Sequence, residues 1–359
     1  MTRGDKASLR LTLGLGLATA LAYGLALKLP FVVCVMAVLV LCKPGPPMPL
    51  VKGIVTAVIL AALIAAGVLM VPLLEHYALA GVLLTGVVLH AVFRAGQAGG
   101  GALTALLVIS FAMMPVAGVA EQSLVAVLSA TLAVGLGVGT LVSAMSSALF
   151  PDPPQPARAP AQRADAPSAH WIALRGTLIV MPVFVLALTN PSFYLAAIMK
   201  TATLAQQAGD AQAGAASREL VGSTLMGAFI GMAVWAGLSL WPSLWMLTLW
   251  LMAAALWTGS AMFGVRRTRF RPSFWSNALV TALILLGPAI EDSASGKSVL
   301  EGSVMRVCLF VGVAFYASAT VWVLERWRGR ALRPASQADV QLAPHEQGDE
   351  DGRSHTSAT

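Results

Sequence analysis

A few residues in the apolar stretches of the chain carry groups suited to proton or anion chemistry. His90 lies one helical turn before Arg94, so its imidazole is a candidate proton carrier, or an interfacial group beside an anchoring Arg. Arg306 is a candidate anion site, with a side chain that extends to the outer membrane surface as the alternative. Lys200 is predicted to mark the inner face. No Asp or Glu falls mid-span, so the usual carboxylate site for a proton is missing.

Two short apolar segments that each begin with proline, 30–42 and 191–205, offer aromatic faces and an amide. Short, proline-containing segments at matching positions of two repeats indicate a substrate site at the repeat interface, where proline frees a backbone carbonyl. The alternative is that each proline only starts a helix at a tight outer turn. The candidate pathway residues are Pro30, Phe31, Asn190, Pro191, Phe193 and Tyr194.

Other motifs favour neither catalysis nor a cofactor. The glycine run 135–139 lies within an apolar stretch, which favours helix packing over a dinucleotide loop. Residues 296–298 resemble the end of a phosphate-binding loop, but Glu291 stands where that loop requires glycine. The three cysteines lack metal-ligand spacing, and no nucleophile, base and orienting residue occur together. We therefore expect no enzyme activity, no cofactor and no metal.

The composition predicts an all-α polytopic membrane protein. Hydrophobic residues make up 57% of the 359 residues and charged residues 11%, with a mean hydropathy of +0.78. Apolar runs long enough for membrane helices follow one another along the chain. The net charge of +7 is attributed to topology-setting loops rather than to nucleic-acid binding.

The apolar runs predict about twelve transmembrane helices. A first membrane repeat (1–150) and a second (171–328) flank a Pro-rich cytoplasmic linker (151–170), and a disordered cytoplasmic tail (329–359) follows. The first run is predicted to stay as a retained helix rather than a signal peptide. The predicted spans are 10–28, 30–42, 51–71, 78–93, 102–118, 122–150, 171–189, 191–205, 219–240, 243–264, 273–290 and 302–326.

Charge and repeat patterns orient these spans. With both termini in the cytoplasm, all of the 23 Lys and Arg residues except Lys28, Lys297 and Arg306 fall on the inner side, as the positive-inside rule expects. Short sequence similarities between the two halves predict two parallel six-helix repeats. A re-entrant second and eighth segment is the alternative, but it places several basic residues on the outer side.

The repeated motifs carry a resemblance to a known family. Leu9-Arg10, Leu29-Pro30-Phe31 and Leu50-Val51-Lys52-Gly53, echoed after the linker, resemble the fusaric acid resistance and aromatic acid exporter family of bacterial inner-membrane proteins over residues 8–328. The chain is similar to the compact branch, which lacks large cytoplasmic domains. The resemblance implies export of small organic, often aromatic, acids and a periplasmic adaptor of the membrane-fusion type.

These observations predict an efflux subunit in the bacterial inner membrane, driven by proton-motive force. Its expected partners are the bilayer, a small organic anion and the adaptor, and a homo-oligomer is left open. A non-transporting scaffold for an adaptor complex is the first alternative, motivated by the sparse buried charge. A membrane-embedded lipid-modifying enzyme is the second.

Overall fold

The computed structural model describes residues 2–42, 55, 58–59, 67–96, 101–151, 166–210, 213–294 and 299–341. All regular secondary structure in these ranges is helical. The helices are α1 (Arg3–Gly24), α2 (Pro30–Leu41), α3 (Met70–His76), α4 (Ala78–Gly96), α5 (Gly101–Ala120), α6 (Gln122–Leu149), α7 (Ala166–Thr189), α8 (Pro191–Asp210), α9 (Ala213–Leu240), α10 (Leu244–Met262), α11 (Pro272–Ala294) and α12 (Val299–Gln341).

Seven helices in the described ranges are long and apolar enough to cross a membrane, namely α4, α6, α7 and α9–α12. Shorter apolar segments lie in α2, α5 and α8. The prediction of an all-α, multi-pass membrane protein is confirmed at this level. The third predicted span, 51–71, lies largely outside the described residues, and the short helix α3 next to it was not predicted.

Local sequence accounts for where several helices start. Thr2 and Asp5 form a reciprocal capping box at α1, and Ser243 accepts a hydrogen bond from a first-turn amide of α10. Pro30 and Pro191 are the first residues of α2 and α8, where proline has no helical hydrogen bond to lose. Neither proline therefore interrupts a helix.

Two other prolines lie inside helices at matching places. Pro115 is within α5 and Pro288 within α11. Proline has no amide hydrogen, so it frees the carbonyl of the residue four positions earlier, which is Phe111 in α5 and Ile284 in α11. Both of those residues are buried. Carbonyl groups freed by proline are predicted at Pro30 and Pro191, whereas the structure has them within α5 and α11.

Helix packing follows a paired pattern. In the first half, α1 packs on α2 and α6, α2 packs on α6, and α5 packs on both α4 and α6. In the second half, α7 packs on α8 and α12, α8 packs on α12, and α11 packs on both α10 and α12. Between the halves, α1 packs on α10 as α4 does on α7, and α2 packs on α11 as α5 does on α8. The central part of α2 (32–38) is completely enclosed, so the protein core lies around these crossing helices.

The predicted linker and tail are described only in part. Residues 152–165 of the linker and 342–359 of the tail lie outside the described residues. Helix α7 begins at Ala166, before the predicted end of the linker, and α12 continues to Gln341, into the stretch predicted as tail. At the linker's start, Lys6 Nζ donates to the carbonyl oxygen of Pro151 at 3.0 Å, which ties α1 to the end of α6.

Candidate functional site

Lys200 lies in the middle of helix α8 rather than at one of its ends. It is nine residues into α8, about 14 Å along the axis from Pro191. Its side chain is completely buried, at 0% exposure. Lys200 is thus enclosed by protein rather than exposed at a surface, and the expectation that it marks the inner face stays a prediction. The neighbouring Thr201 and Thr203 are buried as well and donate to the helix's own carbonyl groups.

The Lys200 ammonium group donates hydrogen bonds to a second helix. Nζ lies 3.0 Å from Asn277 Oδ1 and 2.6 Å from Thr281 Oγ1, both on α11. Asn277 and Thr281 are four residues apart, so they share one face of that helix. Asn277 Nδ2 in turn donates to Ser223 Oγ of α9 at 2.6 Å. We call Lys200, Ser223, Asn277 and Thr281 the Lys200 network; all four are buried.

The direction of the hydrogen bonds in the Lys200 network is fixed. The Thr281 hydroxyl donates to the backbone carbonyl oxygen of Asn277 at 2.6 Å, so the hydroxyl oxygen of Thr281 is the acceptor for Lys200. The Ser223 hydroxyl donates to the Leu220 carbonyl oxygen at 3.2 Å, so its oxygen accepts from the Asn277 amide. In its charged form Lys200 has three N–H donors, of which two have partners among the described residues.

Lys200 has no carboxylate partner among the described residues. Ion pairs between described residues include Arg175–Glu325, Arg271–Glu219 and Arg306–Asp292, and none of these involves Lys200. Removing an ammonium group from water costs several kcal/mol, and each hydrogen bond to a charged group returns about 1.5–3 kcal/mol. An anion that reaches the Lys200 network would supply both a third acceptor and the missing opposite charge.

Close approach of α9 to α11 holds the Lys200 network together. A Cβ atom at Gly227 would lie 2.6 Å from the Ala278 carbonyl oxygen and 2.5 Å from Thr281 Cβ, so only glycine fits there. A Cβ at Gly222 would lie 3.2 Å from the Phe274 ring. These small residues bring Ser223 within hydrogen-bond distance of Asn277.

The candidate pathway residues lie at the ends of α2 and α8. Phe31 is 7% exposed, and its ring packs directly on Gly287 of α11. Asn190 is exposed and its carbonyl accepts from the Tyr194 amide. Tyr194 is half-buried beside the core. Phe193 lies in α8. The structure therefore brings Phe31 to a contact between the halves.

His90 has a partner that the sequence analysis did not identify. Its Nε2 lies 3.2 Å from Nδ1 of His170 on α7, and the two rings meet edge to face with centroids 4.7 Å apart. Arg94 is exposed one turn further along α4. This imidazole pair connects α4 to α7 across the two halves, and it is separate from the hydrogen bonds of the Lys200 network.

Arg306 is paired with a carboxylate from the preceding helix. Its Nη2 lies 2.7 Å from Asp292 Oδ2, and both side chains are largely buried. The anion role of Arg306 stays a prediction, since its Nη1 is buried without a hydrogen-bond partner, but Asp292 already supplies a carboxylate counter-ion. This distinguishes Arg306 from Lys200, whose bonds within the described residues go to neutral groups.

Comparison with known proteins gives one partial match. A family model described as "Protein of unknown function (DUF2955)" matches residues 7–146. No curated protein and no solved structure matches the chain. The matched segment covers α1–α5 and most of α6, and it ends before every residue of the Lys200 network. The resemblance to the aromatic acid exporters stays a prediction.

Proposed function

We propose that this protein is an efflux subunit of the bacterial inner membrane that exports small organic acids, in particular aromatic ones. We further propose that proton-motive force drives export and that a periplasmic adaptor takes part. The observation that carries the proposal is the buried Lys200, which is bonded to neutral groups within a bundle of membrane-length helices. Ionisable residues inside membrane bundles mark substrate and ion pathways.

The proposed architecture has two parallel six-helix repeats, twelve spans and cytoplasmic termini. The matched contacts within and between the halves support it, as do the matching prolines Pro115 and Pro288. Transporters built from repeats bind substrate near the bilayer midplane, where the repeats meet. Helices α8 and α11 bear Lys200, Asn277 and Thr281, and each of them also packs on a helix of the other half.

An organic carboxylate complements the Lys200 network chemically. Its negative charge offsets the lysine, and its oxygens accept from the remaining N–H donor of the ammonium group, beside Asn277 and Thr281. Because the site is enclosed by apolar helices, the ion pair forms out of water, where electrostatic attraction is strong. Export then requires a conformational change that exposes the site to one side at a time.

Inverted membrane vesicles test the proposal, because they turn export into accumulation. We expect vesicles containing the protein to accumulate labelled benzoate or another aromatic carboxylate, and an uncoupler to abolish accumulation. Vesicles without the protein are the control. No accumulation over a broad panel of acids, with the protein inserted, would refute transport of this class and favour the scaffold alternative.

Asn277→Asp should increase stability while it lowers export. The new carboxylate would lie about 3 Å from Lys200 Nζ and act as a built-in counter-ion. It would compete with the substrate, so we expect kcat/KM for benzoate to fall at least about tenfold, equivalent to about 1.4 kcal/mol. The unfolding midpoint should rise.

Thermal unfolding of purified protein and vesicle uptake together check the Asn277→Asp prediction. Ser239→Asp, which places the same charge at the exposed end of α9, is the matched control and should leave both quantities near wild type. Full export by Asn277→Asp would contradict a substrate role for the Lys200 network.

A further inference from the structure

One end of the Lys200 network approaches an ion pair of unequal exposure. Arg271 Nε lies 3.3 Å from Glu219 Oε1, with 46% of the arginine side chain exposed and 14% of the glutamate. Arg271 directly precedes α11, the helix that carries Asn277. The pair thus presents a cation to solvent beside the buried site.

The ion pair and the Lys200 network are linked along two helices. Glu219 lies four residues before Ser223 on α9, hence one turn away on the same face. From Ser223 the hydrogen bonds continue through Asn277 to Lys200. The polar groups thus extend from the exposed Arg271, through the neutral side chains of Ser223 and Asn277, to the buried Lys200. Such a series suits an anion that moves inward in steps.

Aromatic side chains flank the same end of α11. The exposed Phe270 ring stacks on the buried Phe274 ring, with centroids 4.2 Å apart and planes inclined by 13°. Phe274 lies three residues before Asn277, and it packs on Gly222, the neighbour of Ser223. A cation and a ring are therefore adjacent at the surface, which matches a carboxylate attached to an apolar body.

We propose that Glu219 and Arg271 form the entrance to the Lys200 site. The carboxylate of an incoming organic anion displaces Glu219 from Arg271 and then passes along α9 and α11 to Asn277 and Lys200. This inference rests on the proposed function. Because 46% of the arginine side chain is exposed, a carboxylate from solution is able to approach Arg271 and replace the glutamate. The charge distribution predicts that this entrance faces the cytoplasm, as uptake for export requires.

Substitutions at the two positions should move KM in opposite directions. Glu219→Gln removes the competing carboxylate, so we expect KM for benzoate to fall about threefold to fivefold with kcat unchanged. Arg271→Gln should raise KM by a similar factor, about threefold to fivefold, and make it less sensitive to salt. Arg271→Lys keeps the charge and should raise KM less than Arg271→Gln does. Arg269→Gln removes an exposed charge two residues away and is the matched control.

Initial rates of benzoate uptake into inverted vesicles, at low and high salt, decide between an entrance and a purely structural pair. A structural pair predicts that Glu219→Gln and Arg271→Gln both lower the unfolding midpoint and the rate. An unchanged or higher KM in Glu219→Gln would overturn the entrance while export itself stands. Absence of uptake by the wild-type protein would overturn the proposed function and the entrance with it.

Discussion

Lys200→Met is expected to abolish organic acid export without unfolding the protein. Methionine fills a similar volume and removes the charge, so the carboxylate loses a charge-assisted hydrogen bond. A loss of roughly 3 kcal/mol corresponds to a decrease in kcat/KM of at least about 100-fold. The free energy of unfolding should stay the same or rise, because an apolar side chain replaces a buried cation.

This combination of effects separates a binding role for Lys200 from a structural one. If Lys200 had only a structural role, its replacement would lower stability and activity together. Lys28→Met removes the same charge from an exposed position between α1 and α2, and it should leave uptake within about twofold of wild type. Benzoate uptake and thermal unfolding of both variants provide the comparison. Retention of export by Lys200→Met would remove the basis of the proposed site.

Gly227→Ala is expected to disrupt the packing of α9 against α11 more than any other small substitution at this contact. The added methyl group meets the Ala278 carbonyl oxygen and the Cβ of Thr281, which are parts of α11 that cannot rotate away. The helices must move apart, at a cost of about 1–3 kcal/mol. Separation also weakens the bond from Asn277 to Ser223, so uptake should fall along with the unfolding midpoint.

Gly231→Ala is the matched control for Gly227→Ala. It lies one turn further along the same helix, and its added Cβ would meet α11 only at ordinary contact distances of 3.6–3.9 Å. We expect this variant to be neutral or up to about 1 kcal/mol more stable, because alanine favours helix over glycine. Equal destabilisation by both substitutions would contradict the close packing described at Gly227.

The helical, membrane-spanning character of the chain was predictable because it depends on local composition. Long apolar runs and the first-position prolines Pro30 and Pro191 determine helices whatever their neighbours are. The structure confirms the all-α membrane fold in this coarser sense. The division into repeats, linker and tail stays a prediction.

The candidate site was not predictable by the same means, because it depends on packing between distant segments. Asn277 and Thr281, four residues apart in an apolar run, gave a weak signal, but nothing in the sequence pairs them with Lys200 of another helix. The apolar run predicts an eighth span that ends at residue 205, whereas α8 continues to Asp210, so that Lys200 is in the middle of the helix. His90 and His170 are likewise 80 residues apart in the sequence, so nothing in the sequence pairs them.

Equilibrium binding of labelled benzoate to purified full-length protein in nanodiscs tests the central claim most directly. We predict saturable binding by the wild-type protein and by Lys28→Met, and binding weaker by at least about 100-fold in a folded Lys200→Met variant. Equal binding by wild type and Lys200→Met, with unfolding midpoints that show both to be folded, would contradict an anion site at Lys200.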